Sequence, residues 1–177
     1  QFDKFIEQTK DVWTHLVDIR KSFEPRAEEL AKKYALAPYT MFIGSGALWG
    51  ETILFSMCIL EEMQWKRTRY ITSADFFHGT LELVEPGVPV FLFMGEDENR
   101  KLDERVRAFL TRGVTGDTDI NVIDTAEFAI PGLDDEFRVI VSPWILSSLI
   151  TDRLAAYYET VTKHNLKYRR YYHQFDY

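Results

Sequence analysis

Apolar positions change their spacing along the chain, and each change marks an element. Between residues 2 and 23, Phe2, Phe5, Ile6, Trp13, Leu16, Val17, Ile19 and Phe23 recur at mainly helical intervals. Pro25 interrupts the pattern, because a proline lacks the N–H that a helix interior needs, so two N-terminal helices are predicted, the second over 26–34. Residues 39–43 form a short apolar run flanked by Pro38 and Gly44, as in a strand buried on both faces. Gly44-Ser45-Gly46 turns the chain. Residues 47–63 are too long for one strand and apolar on most faces, through Leu48, Trp49, Ile53, Leu54, Phe55, Met57, Ile59 and Leu60, which predicts a buried helix.

The alternation then repeats. Strands are predicted over 69–73, 89–94, 119–123 and 137–141, with helices near 75–83, over 99–111 and from 144 to about 165. Five strands with intervening helices predict an α/β domain, a doubly wound five-stranded parallel sheet of the flavodoxin-like kind. Glycines punctuate the joins and no repeat or linker divides residues 36–165, so the organisation reads as N-terminal helices over 1–35, one α/β domain over 36–165 and a tail over 166–177. Ligands of such sheets sit beyond the carboxyl ends of the strands, which directs attention to the loops after Ile43, Ser73, Met94, Ile123 and Val141.

Charge adds a second pattern. The chain of 177 residues has a net charge of -7, which argues against nucleic acid as a partner, since phosphate backbones need a basic surface. The final fifteen residues reverse the sign: Lys163, Lys167, Arg169 and Arg170 against Asp176 give +3, leaving -10 for the rest. Tyr171, Tyr172, Phe175 and Tyr177 make this basic tail unusually aromatic for a solvated end. A lone cysteine, Cys58, forbids an internal disulfide, and with no signal-peptide pattern and no uncharged apolar run near about 20 residues, a reducing cytoplasm and no membrane partner are expected. The start at Gln1 suggests a fragment of a longer chain.

Three groups stand where chemistry is plausible. Gly44-Ser45-Gly46, between a buried strand and a helix, is a place for a phosphate or hydroxyl-rich ligand or simply a tight turn; the third glycine of a dinucleotide fingerprint is replaced by Trp49. Glu61 and Glu62 end the apolar helix. A carboxylate after an apolar run, at the negative end of the helix dipole, suits a general base, although a solvated pair at a frayed end has the same sequence. His78 follows the second strand between aromatic residues and glycine. The remaining histidines share no metal-ligand spacing, so no metal or other cofactor is expected.

Phe42-Ile43-Gly44-Ser45-Gly46, the apolar helix ending in Glu61-Glu62, and His78-Gly79 together resemble a sugar isomerase (SIS) domain, over most of residues 39–177. The pattern is similar to the second, C-terminal SIS domain of two-domain phosphosugar enzymes. Glu62 and His78 have the family's spacing of catalytic glutamate and histidine, and the tail from Asn165 resembles the segment that closes over the sugar. The isomerases carry a lysine three residues before that glutamate, where this chain has Ile59, which disfavours aldose–ketose isomerisation. With Arg169-Arg170-Tyr171 near the terminus, the chain looks closest to deglycases of phosphorylated Amadori compounds, of the 6-phosphofructose-aspartate and fructoselysine-6-phosphate type.

The resemblance implies a cofactor-independent deglycase that splits a 6-phosphorylated fructose–amino acid into glucose 6-phosphate and the amino acid. Glu62 is then the general base and His78 the general acid, with Gly44, Ser45, Gly46, Lys167, Arg169 and Arg170 as substrate contacts. It also implies a homodimer whose sites draw on two subunits, and, because the serine- and threonine-rich phosphate loop is absent here, an upstream SIS domain that supplies it. A phosphosugar-sensing regulatory module, an isomerase and a nicotinamide enzyme are the competing readings.

Overall fold

The structure is a computed structural model that describes residues 1–113, 116 and 118–176; Tyr177 of the aromatic tail lies outside the described residues. Helix α1 (Phe2–Thr9) is followed by the long α2 (Val12–Tyr34), and the break falls at Lys10-Asp11 rather than at Pro25. Pro25 lies inside α2, where it costs about 3 kcal/mol. Burial outweighs that cost: Leu16, Ile19, Phe23, Leu30 and Tyr34 are all buried along one stripe, each side chain stabilising by about 1.5–3 kcal/mol.

Four parallel strands form the sheet: β1 (Thr40–Gly44), β2 (Thr68–Ile71), β3 (Val90–Met94) and β4 (Ile120–Asp124), in the order β2-β1-β3-β4. Met41 pairs with both Arg69 and Val90, and Phe91 with Asn121, which fixes the register across the sheet. The central strands β1 and β3 are buried at every position, so successive residues feed two different cores. Phe42, Phe91, Phe93 and Ile123 face α2 and the C-terminal helices. Met41, Ile43, Val90, Leu92 and Met94 face the other way, toward Phe76, Val106 and Leu110 of α4 (Ser73–Phe76) and α5 (Arg100–Leu110). A parallel sheet covered on both faces is therefore correct, with four strands instead of five.

The expected fifth strand, 137–141, lies in helix α6 (Asp135–Leu149). Its Val-Ile-Val run has local strand character, but Val141 and Ser142, then Ile145 and Leu146, then Leu149 are buried, and adjacent buried pairs that recur every four residues mark one face of a helix, whereas a strand would turn the two members of each pair to opposite faces. Asp134 precedes the helix in extended conformation and Asp135 and Glu136 fill its first turn, where carboxylates complement the dipole. From α6 the chain passes through a wide turn of π-helix (Ile150–Leu154) into α7 (Ala155–Thr162). This continuous helix of 28 residues is long and apolar enough to cross a membrane by length and composition; half of its apolar window is buried inside the fold, as in a core helix.

Helix α3 (Trp49–Ile53) follows the glycine turn and widens into ten residues of π-helix, Leu54–Met63. Such wide turns are rare beyond a single bulge and concentrate at functional sites. Phe55 and Leu60 pack into the main core, and Phe42 meets the Phe55 ring edge-on at 5.5 Å, so one face of this segment is anchored to β1 while its end carries Glu61 and Glu62.

Candidate functional site

The π-helical segment ends in an unusual closure. Gln64 N–H donates to the Ile59 carbonyl at 3.1 Å, and Lys66 N–H reaches back to the Leu60 carbonyl at 2.8 Å. Between them Trp65 adopts φ 54°, a left-handed conformation that costs an L-residue roughly 1–2 kcal/mol. Gln64 is buried and locks the turn to the C-terminal segment: its side-chain amide donates to the His164 carbonyl at 2.5 Å and its oxygen accepts from Thr162 Oγ1 at 2.7 Å. The Trp65 ring in turn carries His164 edge-on at 4.4 Å and the Arg170 guanidinium at 4.3 Å.

The basic tail thus lies against the end of the π-helix. Arg169 Nε is 2.8 Å from Glu62 Oε1, a pair in which the arginine is 19% and the glutamate 33% exposed. Arg169 is itself held by donating to the carbonyls of Leu166 at 2.8 Å and Tyr168 at 2.9 Å. Glu61, next to it, accepts from Thr68 Oγ1 at 2.5 Å, a hydroxyl that also meets Ser56 Oγ at 2.8 Å. The two glutamates therefore differ in kind: Glu61 ties the helix end to β2, and Glu62 faces the tail. Between helix end and tail opens a cleft of about 430 Å³ that both glutamates line together with Lys66, Arg67, Arg169 and Arg170.

Of the residues singled out in the sequence, Glu62, Arg169 and Arg170 are brought together here. Lys167 is exposed outside the cleft, its N–H accepted by Asn165 Oδ1 at 2.8 Å. His78 is exposed in the turn after α4, its N–H donating to the Asp75 carbonyl at 2.9 Å. Glu62 precedes β2 and His78 follows it, so they belong to opposite ends of an edge strand whose four residues span about 13 Å. His78 does not line the Glu62 cleft.

The glycine turn is engaged differently. Ser45 is buried, and its Oγ accepts from Ser73 N–H at 2.7 Å. Gly44 packs so tightly that an added Cβ would lie 2.2 Å from Thr52 Oγ1. At Gly46 (φ 54°) the Asp97 carboxylate comes in: Oδ2 accepts from Ala47 N–H at 2.6 Å and Oδ1 from Asn99 N–H at 2.7 Å. A protein carboxylate thus occupies the amide that an incoming anion would use. The surrounding crevice, between the carboxyl ends of β1 and β3 where the strand order reverses, is lined by Glu96, Asp97, Glu98, Asp135 and Glu136. Arg138 pairs with Glu96, and Lys4 with Glu136, leaving the crevice acidic. Among the described residues no group of three or more His, Cys, Asp or Glu side chains could hold a metal ion.

Lys66, Arg67 and Asp97 carried no clear signal in the sequence. The run Gln64-Trp65-Lys66-Arg67 reads as a solvated loop, and only its position directly after Glu61-Glu62 hints at a shared site.

Comparison with known proteins supplies relatives of the chain. Fructosamine deglycase FrlB of Bacillus subtilis is 28% identical over 97% of this chain and 51% of its own length. The fructoselysine 6-phosphate deglycase of Escherichia coli K12 is 30% identical over 94% of this chain and 46% of its own length. The chain is a homologue of the fructosamine and fructoselysine-6-phosphate deglycases. A solved Bacillus subtilis structure, provisionally assigned as a phosphosugar isomerase, superposes on 99% of this chain and 52% of its own with a TM-score of 0.90 at 27% identity, so the α/β architecture is the sugar isomerase fold. No protein-family model matches the chain. The chain spans about half the length of these relatives.

Proposed function

We propose that this deglycase homologue contributes the general base of an enzyme that cleaves 6-phosphorylated fructose–amino acid conjugates. The observation that carries the reading is the cleft at the end of the π-helix, where Glu62 is half-sheltered, oriented by Arg169 and surrounded by cations suited to an anionic substrate. In the open-chain conjugate, C1 lies between the nitrogen and the C2 carbonyl, so its proton is acidic enough for a carboxylate to remove. Glu62 takes that proton and the C1–H electron pair becomes the C1–C2 double bond of an enaminol, while a general acid protonates the carbonyl oxygen. Reprotonation at C2 moves the double bond to C1–N as an imine. Water adds to C1, the C1–N bond breaks, and glucose 6-phosphate and the amino acid leave. The net reaction is hydrolysis, and none of these steps calls on a cofactor.

His78 is the general acid in this reading. Its place at the far end of β2 is compatible with delivery from a second copy of the chain, so that a homodimer shares its sites. Phosphate binding falls to residues outside the Glu62 cleft, and the tail acts as its cover, excluding water until the imine forms. A phosphorylated substrate supports a cytoplasmic location in this reading.

The test uses the natural full-length protein and measures glucose 6-phosphate released from phosphorylated fructosyl-amino acids. Glu62→Gln keeps the volume but cannot accept a proton, and turnover should fall by about 10²–10⁴-fold with folding intact. Mixed Glu62→Gln and His78→Asn proteins should regain part of the activity through heterodimers. Near-normal turnover in Glu62→Gln, or no recovery after verified subunit exchange, overturns the corresponding assignment. Wild-type protein that binds the substrate but never turns it over would make this a sensing module.

A further inference from the structure

We propose that the cationic wall of the Glu62 cleft, Lys66 included, is the subsite for the carboxylate of the amino acid joined to the sugar. This rests on Glu62 as the base. Four cations and two carboxylates line the cleft, an excess of two positive charges on a chain whose net charge is -7. Glu61 is engaged by Thr68 and Glu62 by Arg169. Among the described residues no carboxylate lies within 4 Å of Lys66, Arg67 or Arg170. Three cations therefore face the cleft without an acidic partner.

Their placement is built into the backbone. Left-handed Trp65 and the Lys66 N–H bond to Leu60 fold the chain back, so that Lys66, four residues after Glu62, lines the same cleft. Strain of this kind at a non-glycine residue persists where surrounding structure over-determines it, here by buried Gln64 and by His164 and Arg170 on the Trp65 ring. Burial also pushes the Lys66 ammonium below its ordinary pKa, the signature of a cation without a compensating charge. A bound anion would supply it.

The chemistry selects which anion. The base must reach C1, and the carboxylate carbon of the amino acid is three bonds from C1, through nitrogen and the α-carbon. The phosphate hangs from C6, at the other end of the sugar. Cations sharing a cleft with the base are therefore matched to the near anion.

Three substrates separate the possibilities in the full-length protein: 6-phosphofructosyl-glycine, 6-phosphofructosyl-ethylamine, which lacks the carboxylate, and fructosyl-glycine, which lacks the phosphate. Lys66→Met should lower kcat/KM about tenfold to a hundredfold on both glycine conjugates, mainly through KM, as expected for a lost charged hydrogen bond, and should leave the ethylamine conjugate nearly unchanged. Lys66→Arg should recover much of the loss. An equal loss on all three substrates would make Lys66 structural, and a loss confined to the two phosphorylated ones would assign it to the phosphate; either overturns the proposal. Glu62→Gln, run in parallel, should fail on all three. If it does not, the base assignment fails whatever Lys66 shows.

Discussion

Asp103, on α5, is only 1% exposed, and it sits where three strand ends meet. Its Oδ1 accepts from Ser73 Oγ at 2.5 Å, and Ser73 N–H in turn donates to Ser45 Oγ after β1. Burial pushes the carboxyl up from 3.8 to about 6, against the Ser73 hydroxyl and the Gly95 N–H, which favour the ionised form. The folded chain therefore holds this proton more tightly than the unfolded chain. Its contribution to stability is fully present below about pH 3.8 and is lost as pH rises through about 6. At about 1.4 kcal/mol per pH unit, that interval corresponds to roughly 3 kcal/mol. Asp103→Asn keeps the shape and one acceptor but cannot ionise. Thermal unfolding of both proteins from pH 3.5 to 7.5 should show the variant gaining on the wild type across that interval. For a chain of this size the relative gain in Tm is about 6–12 °C. A difference between the two proteins that stays flat with pH would refute the argument, because all other titrating groups are common to both.

Gly46→Ala should destabilise by at least about 1–2 kcal/mol, since a left-handed alanine is strained and its Cβ would fall 2.1 Å from Asp97 Oδ2; an unchanged denaturation midpoint would refute this. Tyr158→Phe should be neutral or stabilise by about 1 kcal/mol, because the Tyr158 hydroxyl is buried with no hydrogen-bond partner among the described residues; a loss in the same assay would reveal one. Arg169→Met should cost less than about 1 kcal/mol of global stability, as expected of a partly exposed pair, yet make residues after 165 more sensitive to limited proteolysis; unchanged cleavage would mean that the tail is held without Glu62.

Much of this architecture was legible because a buried parallel strand leaves a plain mark. The runs that became the central strands β1 and β3 are short, apolar and bounded by proline and glycine, while the outer strands β2 and β4 mix polar and apolar residues and carry a weaker mark. Residues 137–141 carry the same mark and are helical, because what separates the two is the phase of burial over the next eight residues, and that depends on what α6 packs against. Pro25 misled for a related reason: a local penalty was outweighed by a stripe of tertiary contacts along α2. The π-helix after Ile53 had no sequence signal, since a segment apolar on most faces has no periodicity from which to read its pitch. The charges of Glu62, Arg169 and Arg170 were legible, but their meeting across more than a hundred residues required the fold. Lys66 was hidden because nothing in a tryptophan announces a left-handed backbone.

The electrostatics of the two clefts bear on where an anionic substrate goes. In an open α/β sheet the expected ligand position is the crevice at the reversal of strand order, and in this chain that crevice is acidic and its helix-start amide is already bonded to Asp97. A sugar phosphate carrying an amino acid would meet like charge there. At the end of the π-helix the sign is opposite: Lys66, Arg67 and Arg170 have no acidic partner among the described residues, and Glu62 is oriented by Arg169. On the proposed reading, chemistry in this fold sits where its charges are left uncompensated. On the same reading the reaction lies at the amino end of an edge strand, beside Glu62, and His78, at the other end of β2, would act from a second copy of the chain.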